Sequence, residues 1–254
     1  MDESSEGDRI AVRVDRSGPE LMLVLGIESA TAQVGVAIGG HEGVLASTHS
    51  SVDRRHAESI TPMIKFVSEQ AGIELSEVSV VAVDIGPGLF TGLRVGIASA
   101  MAVAHGLGVP MIGVSSLDLG AFAVAHSSRM IVPCWDARRG EVFAAQYRSV
   151  PGGVQRITEP AVFKPEELVA DLMAVDEEVL LLGDGAERYR EQFEKVSRVE
   201  IAGKGLWYPS ARSLVELAHP KALREEFVTP REIEPMYIRL PDAEINWKVR
   251  DGRS

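Results

Sequence analysis

The stretch from Val78 to Gly108, VSVVAVDIGPGLFTGLRVGIASAMAVAHGLG, carries the reading of the fold. Val78, Val80, Val81 and Val83 supply the β-branched density of an interior strand. Asp84-Ile85-Gly86-Pro87-Gly88 breaks that strand, and Thr91 stands where a helix N-cap is expected. The helix that follows places Gly92, Gly96, Ala100, Ala104 and Gly108 at four-residue spacing, so small residues line one face. Glycine inside a helix costs roughly 1 kcal/mol relative to alanine. Its use at Gly92 and again at Gly96 implies that another backbone comes very close. A glycine turn at a helix N-terminus also leaves N–H groups free to cradle an anion. Gly86, Gly88, Thr91 and Gly92 are therefore candidate phosphate-loop residues. The turn does not match G-x-x-x-x-G-K-S/T, because Leu93 and Arg94 follow Gly92, and its G-x-G-x-x-x-G spacing is not the dinucleotide fingerprint.

Upstream, residues 21–27 read as a strand, Glu28-Ser29-Ala30-Thr31 as a turn, and residues 33–38 and 44–49 as a hairpin around Gly39–Gly43. Asp53 caps an expected helix from Arg54 to Gln70, with Gly72 as its stop, Pro62 inside it, and Ile60, Met63, Ile64 and Val67 on one apolar stripe. Three strands followed by helix-bearing units describe a mixed sheet with helices packed on it. The second half begins in the same way. Ile131 to Asp136 is a strand ending in an acid, as Leu25 to Glu28 is, and a valine lies six positions beyond each acid, Val34 and Val142. The pattern points to a duplicated domain with an acid at the first hairpin of each copy. Beyond Tyr147 a loop is expected at Ser149–Gly153, helices at Pro165–Ala174, Ala186–Val196 and Ser210–Ala218, and a short strand at Val179–Leu182.

A chain of 254 residues, 45% hydrophobic, buries a substantial core. Its net charge of −11 and pI near 5.1 argue against a stand-alone nucleic-acid binder. Cys134 is the single cysteine, which excludes an intrachain disulfide and a cysteine zinc site and fits a reducing cytosol. No apolar run reaches ~18 residues without a charge or breaker. The nearest, Val95 to Val114, contains His105, Pro110 and four glycines. The first 20 residues hold six acids and three bases, lack a signal peptide's basic start and apolar core, and read as a disordered tail. Met22 is then an alternative natural start.

Five motifs occur in order: I-E-S-A-T from Ile27, R-H-A-E-S-I-T-P from Arg55, G-P-G-L-F-T-G-L-R-V-G from Gly86, I-G-V-S-S-L from Ile112 and D-A-R-R-G-E-V-F from Asp136. Together they resemble the bacterial TsaB (YeaZ) family, strongly from Leu21 to Tyr147 and loosely beyond. The resemblance implies an α/β, duplicated actin-like, Hsp70-like fold (the ASKHA, ribonuclease H-like class), with mixed sheets and flanking helices. The divisions expected on this basis are a tail over 1–20, a first subdomain over 21–115, a smaller second one over 116–228 whose last helix packs back on the first, and an extended tail over 229–254. The resemblance also implies a role in making N6-threonylcarbamoyladenosine at position 37 of tRNAs that read codons beginning with A. In that picture TsaD carries the metal and transfers the threonylcarbamoyl group, TsaE is a small ATPase, and TsaB is a non-catalytic scaffold that reaches tRNA only through the complex. ATP or ADP is expected at most at the subunit interface, with no cofactor held by this chain alone. The chain departs from the family at Glu28-Ser29, where aspartate and threonine are usual, and at Leu89, where a serine is usual.

The remaining chemistry is thin. His41, His49, His56, His105, His126 and His219 include no pair at helical H-x-x-x-H spacing, so no metal site and no metallopeptidase is expected. No G-x-S-x-G elbow exists. Glu28 and Asp136 either face a shared cleft, as an ATP-dependent phosphotransferase of this fold would need, or accept hydrogen bonds in their turns. The resemblance implies an interface built from two helices, with His56, Ile60, Met63, Ile64 and Val67 on the first and Gly92, Gly96, Ala100 and Ala104 on the second. These would pair with the equivalent helices of TsaD, or with a second copy of this chain when TsaD is missing. Bulk at Gly96 or Ala100 is then expected to block pairing and leave the monomer folded.

Overall fold

The computed structural model describes residues 22–51 and 56–238, with the side chain of His56 outside that set. The expected N-terminal tail, the Asp53 cap and the end of the C-terminal segment lie outside the described residues. The first half runs β1 (Val24–Glu28), β2 (Val34–Gly40), β3 (Gly43–Ser50), α1 (His56–Ala71), β4 (Val80–Gly86), α2 (Phe90–Leu107) and β5 (Met111–Ser115). Its sheet has the order β3-β2-β1-β4-β5, with β1, β2 and β3 antiparallel and β4 and β5 parallel to β1. The interior strands β1 and β4 are buried on both faces, which is why they read as near-continuous Val, Leu and Ile, while the edge strand β3 alternates with solvent. The β2–β3 hairpin closes in two residues, His41 and Glu42, a tighter turn than the five-residue loop expected.

After α3 (Ser116–Ala123), the second half repeats the plan with β6 (Met130–Arg138), β7 (Glu141–Ala144), β8 (Tyr147–Val150), β9 (Gly153–Arg156), β10 (Ala161–Phe163), α4 (Pro165–Ala174), β11 (Val179–Leu182), α5 (Asp184–Arg188), α6 (Arg190–Phe193) and β12 (Val199–Ile201). The order β10-β7-β6-β11-β12 and its strand directions reproduce the first sheet, so the fold is duplicated. The extra β8–β9 hairpin pairs with β6 and occupies the expected loop at 149–153. The amphipathic helix expected over 186–196 is two short pieces, α5 and α6.

Each sheet is covered on both faces. The α1 and α2 side of the first sheet packs through Ile60, Ile64, Val67, Ile97, Ala100 and Ala104 on Leu25, Ile27, Val81 and Val83. Its other face is covered by α7 (Ala211–Leu223), whose Leu214, Val215 and Ala218 meet Val24, Val80 and Ala82. Ser210 caps α7 by accepting a hydrogen bond from Ser213 N–H at 3.1 Å, and the helix continues through Pro220 past its expected end. In turn α3 lays Leu117 and Ala121 against Ile131 and Trp135 of the second sheet, so the two helices lie between the halves and hold them together.

The described part of the C-terminal segment expected to be extended, Thr229 to Ile238, is docked on the first half. Val228 bridges to Met111, Ile233 is buried, and Met236 N–H donates to Ile85 O at 2.6 Å. Tyr237 stacks on Phe90 with centroids 5.6 Å apart and accepts a hydrogen bond from Arg94 Nε at 3.0 Å.

Candidate functional site

The glycine loop and the turn after β1 are built as one unit. Leu89 N–H donates to Ala30 O at 2.7 Å, and Ser29 Oγ donates to Gly92 O at 2.9 Å. A Cβ at Gly88 would stand 2.2 Å from Ala30 O, one at Gly92 2.3 Å from Ser29 O, and one at Gly96 2.1 Å from Ser29 Oγ. The glycines are thus needed for the close approach of the chain's own β1–β2 turn. Of the N–H groups in the candidate phosphate loop, that of Leu89 is engaged within the chain, and the side-chain positions at Gly88 and Gly92 are filled by the β1–β2 turn. Gly86 holds a left-handed φ of +103° beneath Leu93 and Met236. Thr91 is exposed inside the first turn of α2, whose N-cap is Leu89 with no side-chain bond, so Thr91 caps nothing.

The same contacts turn the expected interface stripe inward. Gly92, Gly96, Ala100 and Ala104 are buried on this chain's own turn and sheet, as are Ile60, Ile64 and Val67, while Met63 is half-buried beside them. The outer side of α2 carries a second run of small and apolar residues. Arg94, Ala98, Ala102 and His105 are exposed and Val95, Ser99 and Met101 are half-buried. Only 33% of α2 is buried within this chain, although the helix is long and apolar enough by length and composition to cross a membrane. Phe66 on the adjacent α1 is 48% exposed and Phe90 at the start of α2 40%. Arg94 stacks over Phe90 at 3.8 Å.

At the carboxyl ends of the central strands the structure gathers four acids, of which spacing alone pointed to two, Glu28 and Asp136. Glu28 is fully buried, and its Oε1 accepts Ala30 N–H at 2.8 Å. Beside it on β4, buried Asp84 accepts Gly86 N–H at 2.7 Å and Ser116 Oγ–H at 2.6 Å on the same oxygen. Burial raises the Glu28 carboxyl well above its usual range, and Asp84 adds to this. Burial pushes Asp84 up to about 7 against the lowering effect of its two hydrogen bonds. In the second half Asp136 N–H donates to Asp184 Oδ1 at 3.0 Å, and burial raises Asp184 to about 6.

Asp136 is held by two guanidinium groups, Arg188 at 3.1 Å and Arg138 at 3.2 Å, and its Oδ1 accepts Arg138 N–H at 3.0 Å. The hairpin reaches this geometry through left-handed φ at Arg138 (63°), Arg139 (56°) and Gly140 (82°), a primed turn made mostly without glycine. These groups, with Ala32 of the β1–β2 turn and Tyr208, line a cleft of about 340 Å³ between the halves. The acid that a phosphotransferase would present there is neutralised by its own arginines. Among the described residues no three histidine, cysteine, aspartate or glutamate side chains converge to hold a metal ion. The partners Asp84 and Asp184 were missed because Asp84 lies inside the apolar run of β4 and Asp184 opens a short helix between two glycines, and neither setting differs in sequence from an ordinary turn acid. Arg138 and Arg188 carried no spacing signal.

Two copies of one mixed sheet, joined by α3 and α7 and separated by a cleft, define a duplicated actin-like α/β protein. Residues 44–247 match the family model described as TsaD, tRNA N6-adenosine threonylcarbamoyltransferase. The tRNA threonylcarbamoyladenosine biosynthesis protein TsaB of Escherichia coli is 30% identical over 236 residues, covering 91% of this chain and 100% of that protein. The TsaB of Haemophilus influenzae is 30% identical over 242 residues, covering 91% and 98%. The solved YeaZ of Pseudomonas aeruginosa superposes with a TM-score of 0.75 at 26% identity, over 85% of this chain and 100% of that one. The chain belongs to the TsaB (YeaZ) family of tRNA threonylcarbamoyladenosine biosynthesis proteins, within the TsaD-like fold.

Proposed function

We propose that this chain is the non-catalytic partner subunit of a cytoplasmic tRNA N6-threonylcarbamoyladenosine transferase complex. It pairs with TsaD through the outer face of α1 and α2, works with the ATPase TsaE, and meets tRNA only through the assembly. Any nucleotide binds at the subunit junction, and the metal belongs to TsaD. The observation that carries this reading is the state of α2. Its inner stripe is consumed inside the chain, and its outer stripe of Val95, Ala98, Met101 and Ala102 is apolar and only partly covered. A small-residue helix face bordered by Phe66 and Phe90 admits another helix at close range and supplies aromatic anchors at its rim. A second copy of the chain covers the same face when TsaD is absent, as a two-fold pairing.

Light scattering on a sizing column tests this with the chain alone and mixed with TsaD from the same organism. The expected result is a homodimer that converts to a one-to-one heterodimer. Ala98→Glu and Ala102→Arg, which add charge at exposed positions, are expected to abolish both pairings and to change stability by less than ~0.5 kcal/mol. A chain that stays monomeric and ignores TsaD overturns the reading.

A further inference from the structure

Glu28 and Asp84 form a buried pair with an unused half. The register sets Ile27 beside Val83 on parallel neighbouring strands, so the next residues, Glu28 and Asp84, stand side by side on one face of the sheet. One oxygen of each is fully engaged: Glu28 Oε1 by Ala30 N–H, Asp84 Oδ1 by Gly86 N–H and Ser116 Oγ–H. The other oxygens, Glu28 Oε2 and Asp84 Oδ2, are buried without a hydrogen-bond partner. Two unpaired carboxylates in that position would each bear a desolvation penalty and repel one another.

Among the described residues no cation compensates them. The charge that acts on Glu28 is Asp84 itself, and the further charge that acts on Asp84 is Asp118 of α3, also negative and bound by Arg156 and Tyr147. On α7, Arg212 and Glu216 pair with each other at 3.1 Å. On α2, Arg94 is engaged by Phe90 and Tyr237. The acids also sit where the latch between the halves of the site begins. Glu28 holds Ala30, whose carbonyl accepts Leu89 N–H, and Asp84 holds Gly86 at the other end of the same loop.

We propose that Glu28 and Asp84 hold one proton between their two otherwise unpartnered oxygens, and that this proton keeps the β1–β2 turn latched to the start of α2. It makes the latch pH-sensitive near neutrality. The folded pair retains a proton that the unfolded carboxyls release above about pH 4. Stability from this source is therefore complete below that pH and falls as pH rises into the raised range of the folded pair, where Asp84 ionises at about 7 and Glu28 is held well above its ordinary value by burial and by Asp84.

Carbon-13 carboxyl NMR of the full chain, recorded from pH 4 to 9, reads the two groups directly, and urea unfolding at each pH reads the linkage. One carboxyl is expected to remain protonated at pH 6. The folding constant is expected to drop about tenfold per pH unit between about pH 5 and 7, relative to Glu28→Gln and Asp84→Asn, in which an amide replaces the proton. Hydrogen exchange at Leu89 is expected to lose protection above pH 7 in the unsubstituted chain and not in Glu28→Gln. Both carboxyls ionised at pH 6 overturn the proposal, as does an unchanged pH slope in the two variants. If the variants do not fold, the NMR titration of the unsubstituted chain decides alone.

Discussion

Adding one methyl group at three points of the same helix should give three different answers. Gly106→Ala meets open space, with no atom within 4 Å of the new Cβ, so the helix gains about 0.5–1 kcal/mol from the better propensity of alanine. At Gly92 the new Cβ lies 2.3 Å from Ser29 O, whereas ordinary contact begins at 3.4 Å, so the turn or the helix must move by about 1.1 Å. Overpacking of this kind costs about 1–3 kcal/mol. The movement also loosens Leu89 N–H on Ala30 O and Ser29 Oγ–H on Gly92 O, each with a net value of about 1 kcal/mol. After the propensity gain, Gly92→Ala is expected to lose about 2–3 kcal/mol, a fall in Tm of roughly 5–10 °C for a chain of this size. Gly96→Ala meets the movable Ser29 Oγ at 2.1 Å, and swinging it aside costs its bond to Gly92 O, so loss and gain nearly cancel. In a Ser29→Ala background the obstacle is Ser29 Cβ at 3.3 Å, and Gly96→Ala should then turn stabilising. Urea unfolding of the four variants and the double-mutant cycle reads all of this. A Gly92→Ala chain as stable as Gly106→Ala would refute the claim that the β1–β2 turn rests on α2.

Two more outcomes follow from contacts elsewhere. Cys134 is fully buried, and burial together with Asp184 and Asp136 pushes its thiol well up, so an aromatic disulfide reagent should leave it untouched at pH 7 until denaturant unfolds the chain. Stoichiometric labelling of the native protein would contradict that burial. Arg156 forks onto both oxygens of Asp118 at 2.7 and 2.8 Å, and Tyr147 O–H donates to the same carboxylate at 2.8 Å, pinning β9 and β8 to α3. Because both charged side chains are about 30% exposed, Arg156→Ala should cost only about 1–2 kcal/mol, measured as a shift in urea midpoint, and no shift would show that the hairpin is held by its apolar contacts alone.

Much of the architecture is legible in the sequence itself. The β-branched density at Val80–Val83, the apolar stripe of α1, and the stop at Gly72 (φ +63°) belong to local steric and periodic rules that act within a few residues. The repeated strand-acid-turn pattern at Glu28 and Asp136 correctly pointed to duplication, because both halves need the same first hairpin. Short elements were not legible. The β8–β9 hairpin has only four residues per strand, and its pairing with β6 is decided by a neighbour, not by its own pattern.

The sequence by itself determined that α2 must be approached closely, since glycine at both 92 and 96 is costly in any helix and is explained only by a near neighbour. Only the tertiary structure decided whose backbone that neighbour is. Ser29 lies 63 residues from Gly92 and is brought there by the β1–β4 register, so the small face belongs to the interior and the exposed side of the helix is the opposite one. The acid pair has the same character: Glu28 and Asp84 are unremarkable residues in their own segments, and they become a proton-holding unit because parallel pairing buries them side by side. Local spacing governs what a segment can become, and contacts distant in sequence govern what its side chains must face.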